Sequence, residues 1–380
     1  NNMTANQHPF VRWLHEVDNN DVPEVGGKNA SLGEMIKHLK PMGINIPLGF
    51  ATTAKAFERY LSENKLRESI QKQLDLYHQD ECTLEEAGRT IRSFILEGTF
   101  SGDMTENIRQ AYRRLCREYD MDDVDVSVRS SATAEDLPSA SFAGLHESFL
   151  NVQGEGELLE TCRKCFASLF TARAIVYREE KGFDHFKVAL SVGVQKMVRA
   201  DKGSAGVMFT IDTETGFPNV VVMNGAWGLG ENVVKGSVNP DQFVVFKPLL
   251  DQPERRPIIE KKLGDKSQKL MYGADEKSVE NVDTTPEEKA QFVLKDDEIL
   301  QLAHWGQTIE EHYKRPMDIE WVKDDHSGEL YIVQARPETV HSSAREAEIF
   351  KHYHLVEKRA KVLISGLSIG SSIAAGTIKK

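Results

Sequence analysis

Asp318 and Glu320 stand two residues apart in the stretch Met317 to Trp321, and Gln334 and Arg336 stand two apart near the end of a second apolar run. Met317, Ile319 and Trp321 alternate with the two acids, residues 323–328 read as a turn, and Leu330 to Arg336 returns as a strand that stops at Pro337. Residues two apart on a strand share a face. If the two strands pair with parity kept, two carboxylates, an amide and a guanidinium converge on one side. Such a set can hold magnesium and a triphosphate together. The same pattern also suits a solvent-facing strand pair with cross-strand ion pairing.

Near the other end, Gly26-Gly27-Lys28 precedes Leu32, Met35, Ile36 and Leu39, which recur at helical spacing. The glycines therefore sit at a helix start and Lys28 lies in its first turn. A cation there opposes the helix dipole, and an anionic ligand relieves the conflict. A solvated surface lysine is the alternative. This is not a Walker loop, since Val22 stands where that motif has its first glycine and Asn29 replaces its Ser/Thr.

The third element is a small-residue stretch, VRSSATAEDLPSASFAG at residues 128–144, followed by His146 and Ser148. Apolar residues at Val126 and Val128, and again at Phe149, Leu150 and Val152, frame it with two strands. Small side chains let backbone N–H groups approach an anion, and Arg129 adds a planar fork. Taken alone, a Ser/Thr-rich surface loop fits equally well.

Together with VYREEKGFDH at 176–185, SAGVMFTIDTETG at 204–216, GLGENVVKGSVNPDQF at 228–243 and QARPET at 334–339, these stretches carry a resemblance. From about Val17 to Val340 the chain resembles the nucleotide-binding region of the phosphoenolpyruvate synthase family and, more distantly, pyruvate phosphate dikinase and rifampicin phosphotransferase. The resemblance implies an α+β, bilobed ATP-grasp nucleotide-binding domain over residues 17–340, hinged near 187–200. Residues 341–380 are then a linker helix and the truncated start of a phosphohistidine domain.

Roles follow from the resemblance residue by residue. Lys28 and Arg129 would contact the triphosphate. Gly144 and Ser148 would lie against the phosphates, and Gln195 with the 196–198 backbone would border the adenine. Glu320 and Gln334 would hold Mg2+ or ribose and phosphate oxygens, with Asp318 in support, while Arg336 would grip the phosphate in transfer. The family converts ATP, pyruvate and water to AMP, phosphoenolpyruvate and phosphate through a phosphohistidine. Its Thr-Cys-His or Thr-Ser-His signature and its pyruvate-binding barrel do not occur in these 380 residues, so the ATP half-site alone is expected. The implied partners are ATP, pyruvate in the full enzyme, and the chain's own phosphohistidine and barrel domains, with a homodimer through those domains also in view. A rifampicin-type phosphotransferase and a non-catalytic nucleotide-binding module are the competing readings.

The elements that must position these residues are legible in the apolar periodicity. Helices are expected at about Leu32 to Lys40, Thr53 to Asn64, Leu66 to Tyr77, Leu84 to Glu97, Met104 to Tyr119, Glu157 to Lys181 and Pro286 to His312. Strands are expected at Lys187 to Val198, Gly203 to Asp212 and Val220 to Asn224, a flexible turn at the glycines 225, 228 and 230, and a charged surface excursion from Lys247 to Glu280. A 40% hydrophobic content over 380 residues suffices for one large core or two moderate ones. The net charge of -12 argues against nucleic acid or an anionic membrane as partner. With no long apolar run and no leader pattern, a cytoplasmic location is expected. Four cysteines make no disulfide scaffold, and the Cys162/Cys165 pair is expected to ride on a helix rather than bind zinc. His146 and His185 are read as hydrogen-bonding groups.

Overall fold

The structure, a computed structural model, describes residues 9–134, 147–275 and 278–338. The 135–146 part of the small-residue stretch, with Gly144 and His146, and the whole of 341–380 lie outside the described residues.

The first half runs β1 (Val11–Trp13), α1 (Val22–His38), β2 (Gly49–Thr52), α2 (Ala54–Glu63), α3 (Leu66–His78), α4 (Leu84–Glu97), α5 (Gly102–Glu118), β3 (Val126–Ala132), β4 (Ser148–Val152), α6 (Glu155–Ser168), α7 (Ala172–Glu180) and β5 (Leu190–Lys196). Its antiparallel sheet has the order β1-β2-β5-β3-β4. One face of that sheet carries Phe50, Val126, Val128, Val192 and Val194, which share an apolar core with Phe57, Tyr60, Ile91, Leu115 and Phe166 of the helices. The helix starts follow from side-chain caps: Thr53 and Thr83 each accept from an N–H of the first turn. The single helix expected over 157–181 is two, because Thr171 accepts from Ala174 N and begins α7 afresh. Cys162 and Cys165 are buried in α6, and burial pushes the Cys162 thiol up to about 12; both are structural.

The second half runs β6 (Ser204–Phe209), β7 (Val220–Trp227), α8 (Glu231–Val234), β8 (Asp241–Phe246), β9 (Ile258–Lys262), β10 (Gln268–Tyr272), β11 (Val279–Asp283), α9 (Pro286–Ala290), α10 (Asp296–Tyr313), β12 (Met317–Lys323) and β13 (Leu330–Pro337). Here the antiparallel order is β13-β12-β6-β7-β8-β9, with β10 and β11 as a separate hairpin. The expected excursion from 247 is therefore partly ordered sheet. Inside it Lys266 is fully buried against Asp241 at 2.6 Å, a pairing that a charge-based reading assigns to the surface. Gly225 lies within β7 rather than in a turn, and a methyl there would meet the Trp321 ring at 2.8 Å.

α1 joins the halves. Its Val25, Leu32, Met35 and Ile36 belong to one apolar cluster with Met208, Val221, Met223 and Phe243 of the second sheet and Ile299, Leu302 and Ile309 of α10. The same helix lies against β3 and β5 of the first sheet. The strand expected to link two lobes, β5, is the central strand of the first sheet, and the chain crosses to the second through residues 197–203.

Candidate functional site

In β12, Met317, Ile319 and Trp321 point into the second core while Asp318 and Glu320 are half-buried on the opposite face. Across the ladder Asp318 is opposite Arg336 and Glu320 is opposite Gln334. The four polar residues thus share one face, as the two-residue spacing requires. A bulge after Glu320 shifts the register beyond them. Arg336 Nε donates to Asp318 Oδ2 at 2.8 Å. No hydrogen bond or ion pair ties up the Glu320 carboxylate or the Gln334 amide among the described residues. The face continues over half-buried Val207 and Phe209 of β6, which are opposite Glu320 and Asp318.

The other cationic element begins at Gly26, whose φ of 77° breaks α1 so that the regular helix restarts at Gly27 with Lys28 in its first turn. Glycine is required there twice over. The positive φ excludes most side chains, and a methyl would meet the Ser131 backbone oxygen at 2.6 Å. The helix start is therefore pressed against the end of β3. Ser127, Arg129 and Ser131 alternate onto the β3 face turned away from the helical core, level with Gln195, Gly193 and Ser191 of β5. Arg129 Nε and Ser131 Oγ are buried on that side without a hydrogen-bond partner. A guanidinium and a hydroxyl so placed can donate to an anion's oxygens.

Residues 29 and 31 tie the two elements together. Asn29 Nδ2 donates to Ser191 Oγ of β5 at 3.0 Å, and Ser31 Oγ donates to the Ala335 carbonyl, between Gln334 and Arg336, at 2.9 Å. Helical residues two apart are separated by about 3 Å along the axis. One turn of helix following Lys28 thus spans from the strand beside Arg129 to the strand of Gln334 and Arg336. The sequence does not reveal this link: in it Asn29 only disqualifies a Walker loop, and Ser191 and Gly193 carry no signal.

Ser148 opens β4 as the register partner of Arg129 and is exposed. Gln195 differs from expectation. It is only 4% exposed, and its Nε2 donates to the Pro47 carbonyl at 3.0 Å. The N–H groups of Lys196 and Met197 donate to Leu48 O and Asp125 O. Because β5 is a central strand, these donors are committed to the fold, and an adenine edge cannot use them in this conformation.

Among the described residues no three His, Cys, Asp or Glu side chains gather to hold a metal by themselves. The hairpin offers two carboxylates and an amide, an all-oxygen set suited to a hard cation that draws its other ligands from phosphates and water. No helix among the described residues is long and apolar enough to cross a membrane.

The family described as "Pyruvate phosphate dikinase, AMP/ATP-binding domain" matches residues 22–357. The chain is 52% identical over 378 residues to the phosphoenolpyruvate synthase of Aquifex aeolicus, covering 97% of this chain and 44% of that protein. It is 47% identical over 375 residues to the phosphoenolpyruvate synthase of Escherichia coli, covering 98% and 46%. With the probable phosphoenolpyruvate synthase of Methanocaldococcus jannaschii the identity is 42% over 380 residues, covering 100% and 30%. The chain spans less than half the length of each of these curated relatives.

Proposed function

The chain belongs to the pyruvate phosphate dikinase AMP/ATP-binding domain family, with its ATP-grasp type of nucleotide-binding fold, and from that premise we propose that it is the ATP-binding, phosphoryl-donating part of a phosphoenolpyruvate synthase. The whole enzyme would convert ATP, pyruvate and water to AMP, phosphoenolpyruvate and phosphate. Pyruvate and the phosphorylated histidine would sit on other domains.

The observation that carries this reading is the bridging of the Arg129 strand and the Glu320–Arg336 hairpin by the turn of α1 that follows Lys28. Lys28 and Arg129 bring positive charge to one side of a polyphosphate. Glu320 and Gln334 would hold magnesium against it, with Asp318 fixing Arg336 by their ion pair, and Arg336 would meet the phosphate that is transferred. Ser148, opposite Arg129, would add a hydroxyl. When bound, magnesium screens phosphate charge as transfer proceeds. The identities of 42% to 52% with phosphoenolpyruvate synthases favour this reading over a rifampicin-type phosphotransferase. The polar set at 28, 129, 320, 334 and 336 is complete, which argues against a non-catalytic module. The free thiols of Cys82, Cys116, Cys162 and Cys165 suit the reducing cytoplasm.

Titration calorimetry on the folded chain tests the reading. ATP should bind in the presence of magnesium and lose affinity when EDTA is added. Absence of heat with ATP and magnesium present and EDTA omitted, at protein concentrations that detect millimolar binding, overturns it.

A further inference from the structure

We propose that Asn29 is a positioning residue that sets the orientation of Lys28 relative to Arg129, through a slot created by glycine at position 193. The inference rests on the ATP-site reading above and adds to it a residue that need not touch the nucleotide.

Asn29 is 3% exposed. Its Nδ2 donates to Val25 O, one turn back across the Gly26 break, at 3.1 Å, and to Ser191 Oγ at 3.0 Å. Ser191 Oγ in turn donates to Thr52 O at 2.6 Å, while Thr52 Oγ1 accepts from Val192 N at 2.9 Å. A buried polar relay therefore runs from the first turn of α1 through β5 to β2. Both amide hydrogens of Asn29 are used, one to hold the helix to its own broken start and one to hold it to the sheet. Few side chains can do both: serine and alanine lack the reach or the second donor, and aspartate lacks donors altogether.

The acceptor half of the amide is fixed by shape. Asn29 Oδ1 occupies the space beside Gly193, where a methyl would lie 2.2 Å from it. Gly193 is the register partner of Arg129. The amide thus rests on the backbone directly across from the arginine, while its own backbone adjoins Lys28. With the amide seated, the first turn of α1 has one rotation and one height over β3. Without it, the turn keeps its apolar packing but loses the contact that fixes where Lys28 stands.

The geometry makes a reciprocal prediction. Gly193→Ala expels the Asn29 amide, so it should weaken ATP binding about as much as Asn29→Ala does, about tenfold for a buried hydrogen-bonding group. In the Asn29→Ala background the methyl at 193 has room, so the double variant should be no weaker than Asn29→Ala alone. Affinity for AMP, which lacks the outer phosphates, should change by less than about twofold in all three.

The experiment is calorimetry of Mg-ATP and of AMP with the full 380-residue chain and these variants, with Ser191→Ala as a further arm that removes the acceptor of the Asn29 amide together with the bond to Thr52 O. If Asn29→Ala does not fold, Gly193→Ala and Ser191→Ala decide the matter. Unchanged ATP affinity in folded variants overturns the inference and leaves the ATP-site reading standing. Equal losses for ATP and AMP, or additive losses in the double variant, reduce Asn29 to a structural residue and also overturn it. No ATP binding by the parent chain overturns both.

Discussion

Asp318 and Arg336 are direct partners across β12 and β13, and the arginine Nε donates to the aspartate Oδ2 at 2.8 Å. The arginine side chain is 49% exposed, so the pair adds little to stability. Its effect is to aim the guanidinium along the face that carries Glu320 and Gln334. Arg336→Lys keeps the charge but loses the planar fork. Its affinity for Mg-ATP should fall by about tenfold, read by calorimetry, with a melting temperature close to that of the parent.

Arg129 presents a buried Nε with no partner. Arg129→Ala should therefore leave the fold intact while weakening ATP binding. In a full-length enzyme bearing the histidine and pyruvate domains, it should slow phosphoryl transfer by about 10²–10³-fold. A near-parental rate would assign Arg129 to structure.

The 380 residues contain no phosphohistidine signature, so the chain alone should form neither AMP nor phosphoenolpyruvate in a pyruvate-dependent way. Chromatographic assay of both products with purified chain checks this. Pyruvate-dependent AMP would mean that the acceptor lies inside the chain.

The Lys266–Asp241 pair is fully buried. Asp241 also accepts from Gly264 N and Val293 N, each at 2.9 Å. Lys266→Met leaves the carboxylate buried without its countercharge. It should cost about 3–5 kcal/mol in urea unfolding, whereas Lys235→Met, at the exposed residue that follows α8, should change little.

Arg178 Nε donates to His185 Nδ1 at 3.0 Å, so that nitrogen is unprotonated and Nε2 carries the hydrogen toward Glu179 Oε1 at 3.3 Å. Burial, and secondly the Arg178 charge, lowers the imidazole below its usual 6.5. As pH falls below 6.5 the unfolded chain takes up the proton before the folded one does. Stability is thus full above that value and declines as pH drops through the window down to the folded pKa. His185→Gln should flatten the dependence of melting temperature on pH across this window. A variant with the parental slope would refute the assignment.

How much of this was legible before the structure depends on whether the signal was local. Helices α2 to α5 and the β12–β13 hairpin were readable because their burial follows a strict period, and the hairpin's bulge falls beyond the four polar residues, so their shared face is kept. The break before α7 was not, because the apolar period of Leu169 and Phe170 runs on past Ser168 while only Thr171 marks a new start. The Lys266 pairing was hidden because a lysine in a charged stretch is ordinarily solvated. Lys28, Arg129 and the hairpin were each visible as chemistry, but their common location depends on Asn29 and Ser31 reaching different sheets, and pairings at such sequence separation leave no pattern in one chain. Gln195 shows the converse: its type suited an adenine, and its strand's central place turned its amide to the Pro47 carbonyl.

The bond from Ser31 to the Ala335 carbonyl joins residues 304 positions apart. On a ribosome adding about 5–20 residues per second, roughly 15–60 s separate the emergence of α1 from that of its partner strand. Throughout that interval the second sheet lacks β12 and β13, so the cluster that covers Leu32, Met35 and Ile36 is incomplete. The helix that carries Lys28 is among the first elements made and the last to be seated. Nascent chains of this domain should therefore engage holding chaperones until β13 has left the exit tunnel.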